Sequence, residues 1–123
     1  MRVLLVDDSI DEREMYAEYL RRRGYCTLQA ATAHDGFRLA ADLAPAVVVT
    51  DIKLPGSEDG LALTSRLKHD SATRDSFVIV LSAAIFDTDR AAASEAGCDR
   101  FLAKPCLPAE LEAAVVEMAG QRA

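Results

Sequence analysis

Three stretches of this chain are apolar at every position, which leaves few folds open. Val3-Leu4-Leu5-Val6, Val47-Val48-Val49 and Phe77-Val78-Ile79-Val80-Leu81 are rich in β-branched residues and show no inside–outside alternation. A strand without alternation offers no face to water. Both of its faces are covered, as in a parallel sheet flanked by helices. Each run then meets a polar group: Asp7-Asp8 after the first, Asp51 after the second, Ser82 after the third. Pro55, shortly after Asp51, blocks easy continuation as ladder or helix.

Between these runs the pattern turns helical. Ser9 with Glu12 is a capping-box signature that starts a first helix. The i,i+4 pairs Met15/Tyr19 and Tyr16/Leu20 give that helix its apolar side. It ends at Arg21-Arg22-Arg23 and Gly24, cations favoured by the C-terminal dipole and a glycine stop. Cys26 to Ala31 is a weaker second strand, and Thr32 caps a helix over Ala33 to Leu43 that Pro45 ends. A third helix is expected from Gly60 to His69, with a polar turn over Lys68 to Asp75. An alanine-rich fourth helix runs from Asp87 or Thr88 to Gly97, and Arg100 to Ala103 is a short fifth strand before Lys104-Pro105. Pro108 suits the first turn of a last helix, in which Leu111, Ala114, Val115 and Met118 keep helical spacing. Strict β–α alternation, five times over, means a parallel sheet with helices on both faces.

A chain of 123 residues is one domain with a real core. We expect that domain over residues 1–119, with 120–123 a C-terminal tail or the start of a linker. The net charge of −6 argues against direct nucleic-acid binding. No apolar run approaches the roughly 18 residues of a membrane helix, and the chain opens straight into a strand, so a cytoplasmic protein without a membrane contact is expected. Cys26, Cys98 and Cys106 lack metal or CxxC spacing and read as reduced thiols without a redox role.

Parallel strands point their C-terminal ends the same way. Asp7, Asp8, Asp51, Ser82 and Lys104 all lie at such ends and should meet in one crevice, with the junction of the first and third strands as a switch point. Crowded carboxylates repel. A hard divalent cation, Mg²⁺ by ligand type, relieves this with a few oxygen ligands, and Lys104 supplies a fixed positive charge. A carboxylate beside a metal, a lysine and a hydroxyl is equipped to attack phosphorus and hold phosphoryl oxygens.

With these residues assembled, the chain resembles the receiver domains of two-component response regulators over essentially its whole length. The likeness lies in Asp7-Asp8, in Asp51 with Ile52, Leu54 and Pro55, in Ser82-Ala83, in Phe101 and in Lys104-Pro105. It implies a flavodoxin-like, doubly wound five-stranded sheet of order 2-1-3-4-5 with five helices, and a cis Lys104–Pro105 bond. It further implies that Asp51 accepts a phosphoryl group from a sensor histidine kinase or histidine phosphotransfer protein. Asp8, Asp51 and the Lys53 backbone carbonyl would bind Mg²⁺, with Asp7 helping through water. Ser82, the Ala83 backbone N–H and Lys104 would contact the phosphoryl oxygens. Ser82 and Phe101 would form a switch that remodels the helix 4–strand 5–helix 5 face for a homodimer or an effector. Such a domain is not an enzyme beyond promoting its own phosphorylation and dephosphorylation. One departure is visible: Gly60 follows Asp51 by nine residues where the family usually has eight, so Gly56 to Asp59 carries one extra residue.

The nearest rival class, a phosphohydrolase of the haloacid-dehalogenase type, resembles a D-x-D pair whose second acid serves as general acid/base. Here that position is Lys53. A flavodoxin-like cofactor carrier is opposed by Asp7-Asp8, which would repel a phosphate after the first strand. A receiver-like interaction domain that signals without phosphorylation is the remaining alternative, and the full set of site residues argues against it.

Overall fold

The computed structural model describes residues 1–83 and 87–120. Along them strands and helices alternate: β1 Arg2–Val6, α1 Ile10–Arg22, β2 Cys26–Ala30, α2 Ala33–Leu43, β3 Val47–Asp51, α3 Gly60–His69, β4 Phe77–Ser82, α4 Asp87–Ala96, β5 Arg100–Ala103 and α5 Pro108–Gly120. The strands form one parallel sheet in the order β2-β1-β3-β4-β5, as expected. β3 lies at its centre, buried at every residue.

The unbroken apolar runs are explained by two cores, one on each face. Val3, Leu5, Val47, Val49, Ile79 and Leu81 pack with Tyr16, Ala17 and Leu20 of α1 and with Leu111, Ala114, Val115 and Met118 of α5. Leu4, Val6, Val48, Val78 and Val80 point the other way, onto Ala33 and Ala40 of α2, Leu63 and Leu67 of α3 and Ala93 of α4. Each strand therefore splits its apolar side chains between two helix layers. Burying a large aliphatic side chain stabilises by about 1.5–3 kcal/mol, so these two layers dominate the fold's energetics.

Local chemistry sets the element ends. Thr32 Oγ1 accepts the Asp35 N–H at 3.1 Å and caps α2. Asp59 Oδ1 accepts the Ala62 N–H at 2.8 Å and caps α3, a cap the sequence reading did not assign. Gly97, at φ +101°, ends α4 in a conformation that disfavours any side chain. The Lys104–Pro105 peptide is cis.

Several expectations are corrected. Met15 is exposed rather than packed, because the buried stripe of α1 runs through Tyr16, Ala17 and Leu20. β2 ends at Ala30 and α5 continues through Gly120, while residues 121–123 of the expected tail lie outside the described residues. Lys68 belongs to α3, not to the following turn. Its ammonium is anchored by Asp99 at 2.7 Å and by the Ser76 carbonyl at 2.9 Å. Among the described residues no helix is long and apolar enough to cross a membrane.

Candidate functional site

Asp51 arrives at the sheet edge because β3 runs from the buried floor straight into it. As a residue Asp51 is 8% exposed. The backbone around it is held hard: the Asp51 carbonyl accepts the buried Thr50 hydroxyl at 2.9 Å, and the Ile52 N–H donates to Leu81 O at 3.1 Å. Gly60 closes over the exit of β3, its N–H bonded to Ile52 O at 2.7 Å. A Cβ on Gly60 would run into the Asp51 carbonyl oxygen, which explains glycine there. The Gly56–Asp59 loop leads into that closure with Gly56 at φ +98° and Asp59 capping α3.

From β1, Asp7 enters buried and Asp8 exposed. Asp7 Oδ1 accepts the Ser9 N–H at 2.9 Å, and its carbonyl accepts from Arg13 at 2.8 Å, fixing the β1–α1 turn. Asp7, Asp8 and Asp51 bring one oxygen each to within 4.8 Å of one another. From β5, Lys104 reaches across with its Nζ 2.7 Å from Asp51 Oδ1. That contact is a close ion pair, and the buried Oδ1 has no well-directed hydrogen bond among the described residues. β4 brings Ser82, buried and paired with Ala103, and the Lys104 N–H donates to Ser82 O at 2.8 Å. The Tyr16 hydroxyl, donating to Cys106 O at 2.7 Å, steadies the turn after Lys104-Pro105 from below.

Asp7, Asp8, Asp51, Lys53, Ser82, Ala83 and Lys104 thus line one cleft of about 280 Å³. Phe101 lies outside it, half-buried on the α4 side of the sheet, with the Arg90 guanidinium 4.9 Å from its ring centroid.

Two charged residues of the cleft, Glu12 and Asp89, are not marked as site residues by the sequence. Asp89 lines the cleft from α4, and no pattern in the chain marks it. In the sequence Glu12 reads only as the second half of a capping box. Ser9 Oγ does accept the Glu12 N–H at 3.3 Å, but the Ser9 N–H is already taken by Asp7. The Glu12 carboxylate turns instead to Lys104, 2.8 Å from Nζ.

The electrostatics follow from burial. Burial raises the Asp51 carboxyl to about 7; Lys104 opposes the shift and the Asp7 charge adds to it. Burial alone would lower the Lys104 ammonium, but its pairing with Asp51 and Glu12 reverses this and holds it above the usual lysine range. A buried carboxylate oxygen without a hydrogen bond, close to two further carboxylates, is a donor set suited to a hard cation such as Mg²⁺.

The chain is similar to known proteins over nearly its whole length. The family model of the response regulator receiver domain matches residues 3–116. The phosphate regulon transcriptional regulatory protein PhoB of Pseudomonas aeruginosa is 35% identical over 111 residues, covering 90% of this chain and 48% of its own. This chain therefore spans about half the length of that relative. A solved LuxR-family two-component response regulator from Aurantimonas is 31% identical with a TM-score of 0.86, covering 97% of this chain and 85% of that one. A Burkholderia pseudomallei response regulator, solved with a phosphorylated aspartic acid, a calcium ion and citrate, is 27% identical with a TM-score of 0.83, covering 99% and 72%. A family match over nearly the whole chain, on a sheet of this order with this acidic cleft, places the protein in the response regulator receiver domain family.

Proposed function

We propose that this domain is a phosphorylation-dependent signalling module whose Asp51 accepts a phosphoryl group from a sensor histidine kinase or histidine phosphotransfer protein. The observation that carries the reading is Asp51 itself: a buried strand-end carboxylate paired with Lys104 at 2.7 Å and flanked by Asp7 and Asp8. In the transfer, an Asp51 oxygen attacks phosphorus as the P–N bond to the donor histidine breaks. The electron pair returns to the imidazole, which takes a proton from solvent. Asp8, Asp51 and the Lys53 carbonyl would hold Mg²⁺, with Asp7 acting through water. When bound, that ion neutralises the acids and the charge gathering on the phosphoryl oxygens. Lys104, the Ser82 hydroxyl and the Ala83 N–H are the chain's own contacts for those oxygens.

The output follows from the new charge. Phosphoryl oxygens within reach of Ser82 draw its hydroxyl inward, and the space vacated admits the Phe101 ring. That ring now stacks under Arg90, so its movement would loosen α4 and remodel the α4–β5–α5 face for a second copy or an effector. Nothing in the cleft favours signalling without phosphorylation. No contact with membrane or nucleic acid is part of this reading, and a cytoplasmic setting suits it.

Intact mass after incubation with acetyl phosphate and Mg²⁺ tests the proposal. One phosphoryl group should be added, and the adduct should be absent from Asp51→Asn and from metal-free samples. An unchanged wild-type mass, under conditions that label a control receiver, would overturn it. The switch is tested separately by side-chain NMR with and without beryllofluoride and Mg²⁺. Unchanged Ser82 and Phe101 rotamers on modified Asp51 would refute that route.

A further inference from the structure

We infer that Glu12 is a positioning residue that shares the Lys104 ammonium with Asp51 and thereby restrains phosphoryl acceptance. The inference rests on the reading of Asp51 as phosphoacceptor. Lys104 Nζ stands 2.7 Å from Asp51 Oδ1 and 2.8 Å from Glu12 Oε1. The two carboxylates are therefore rivals for one cation, in side chains that are 11%, 25% and 19% exposed for Asp51, Glu12 and Lys104.

Glu12 is held in this role by its surroundings. Glu12 lies in the first turn of α1, where a negative side chain interacts favourably with the helix dipole. Its usual capping-box partner, the Ser9 N–H, is occupied by Asp7, so the side chain is released toward the cleft. A short chain of contacts then runs from Asp7 through Ser9 and Glu12 to Lys104 and back to Asp51. The turn that carries the two acids of β1 is thereby coupled to the lysine that must meet the incoming group.

The chemical consequence has a definite sign. Lys104 can neutralise phosphoryl oxygens only with the share of its charge that Glu12 does not hold. Glu12 also adds a negative charge to the cleft that an anionic donor must enter. Both effects slow acceptance.

The test uses the whole domain and three proteins: wild type, Glu12→Gln and Glu12→Asp. The first readout is the rate of phosphorylation by acetyl phosphate with Mg²⁺. Glu12→Gln, which removes the charge, should be about threefold to tenfold faster. Glu12→Asp keeps the charge but is one methylene shorter, so it releases Lys104 and should also be faster than wild type. A Glu12→Asp rate equal to wild type, with Glu12→Gln faster, would mean that field and not contact matters, and would overturn the positioning role. Equal rates in all three would do the same.

The second readout needs no phosphorylation: the ¹⁵N-detected Lys104 ammonium, assigned by its loss in Lys104→Arg. Its protons should be protected from solvent exchange in the wild type and exchange severalfold faster in Glu12→Gln. Unchanged exchange overturns the inference even if the wild type takes no phosphoryl group. That last failure, on its own, would count against Asp51 as phosphoacceptor and not against the Glu12 contact.

Discussion

Asp51 binds its proton more tightly in the folded chain than in the unfolded one, and this fixes a pH dependence. Its carboxyl rises from 3.8 to about 7, chiefly through burial. An acid whose folded pKa is raised favours the folded state at low pH. Its contribution to metal-free stability is present below about 4 and is lost as pH rises through about 7. Asp51→Asn removes the ionisation, so its advantage in melting temperature over wild type should be largest at pH 8, smaller at pH 5 and nearly gone below about pH 4. Linkage gives a difference on the order of 1–4 kcal/mol. Thermal unfolding in chelator across that range checks it, and a gap independent of pH would contradict the assignment. Asp8 behaves differently because it is exposed. Asp8→Asn should raise the metal-free melting temperature only slightly while blunting the response to Mg²⁺. A lower melting point with a full Mg²⁺ response would show that Asp8 stands elsewhere.

At the scale of the element, the joint between β3 and α3 is the least tolerant part of the cleft. Gly60 sits against the Asp51 carbonyl, and backbone cannot yield as a side chain can. Gly60→Ala should destabilise by about 1–3 kcal/mol or more, by overpacking against the strand that carries the site. Urea unfolding would measure it, and a change under about 0.5 kcal/mol, the range of an ordinary surface substitution, would show that the joint has slack. The same site also shows how one motif can be half right. Ser9 caps α1 as its pattern demands, yet Asp7 intercepts the reciprocal bond and sends Glu12 to a residue on another element.

For the whole molecule, several acids face one cleft and Lys104 pairs with two of them, so a ligand that binds only the folded state has strong leverage. Mg²⁺ at ten times its dissociation constant should stabilise by about 1.4 kcal/mol, a shift of roughly 4–8 °C. The response should weaken below about pH 7, because Asp51 must lose its proton to act as a ligand. Differential scanning calorimetry at pH 6 and pH 8 would test both. An equal response at the two pH values would separate the metal from Asp51.

The fold was legible in the sequence because its signals are local or periodic. Apolar runs without alternation forced covered strands, glycines and prolines punctuated them, and β–α alternation forced a parallel sheet. Strand polarity then gathered Asp7, Asp8, Asp51, Ser82 and Lys104 at one edge, since that follows from direction alone and not from packing detail. What only the tertiary structure decided depends on distance between elements. Tyr16 and not Met15 turned inward, Asp59 was free to cap α3, and Asp89 of α4 reached the cleft. Glu12 is the plainest case. Its local pattern predicts a bond within its own helix turn, but the partner it found lies 92 positions along the chain, on the loop after β5. A local rule states which groups a side chain can satisfy. Which of them it does satisfy is settled by competition, and here Asp7 held the near partner while Lys104 offered a buried positive charge.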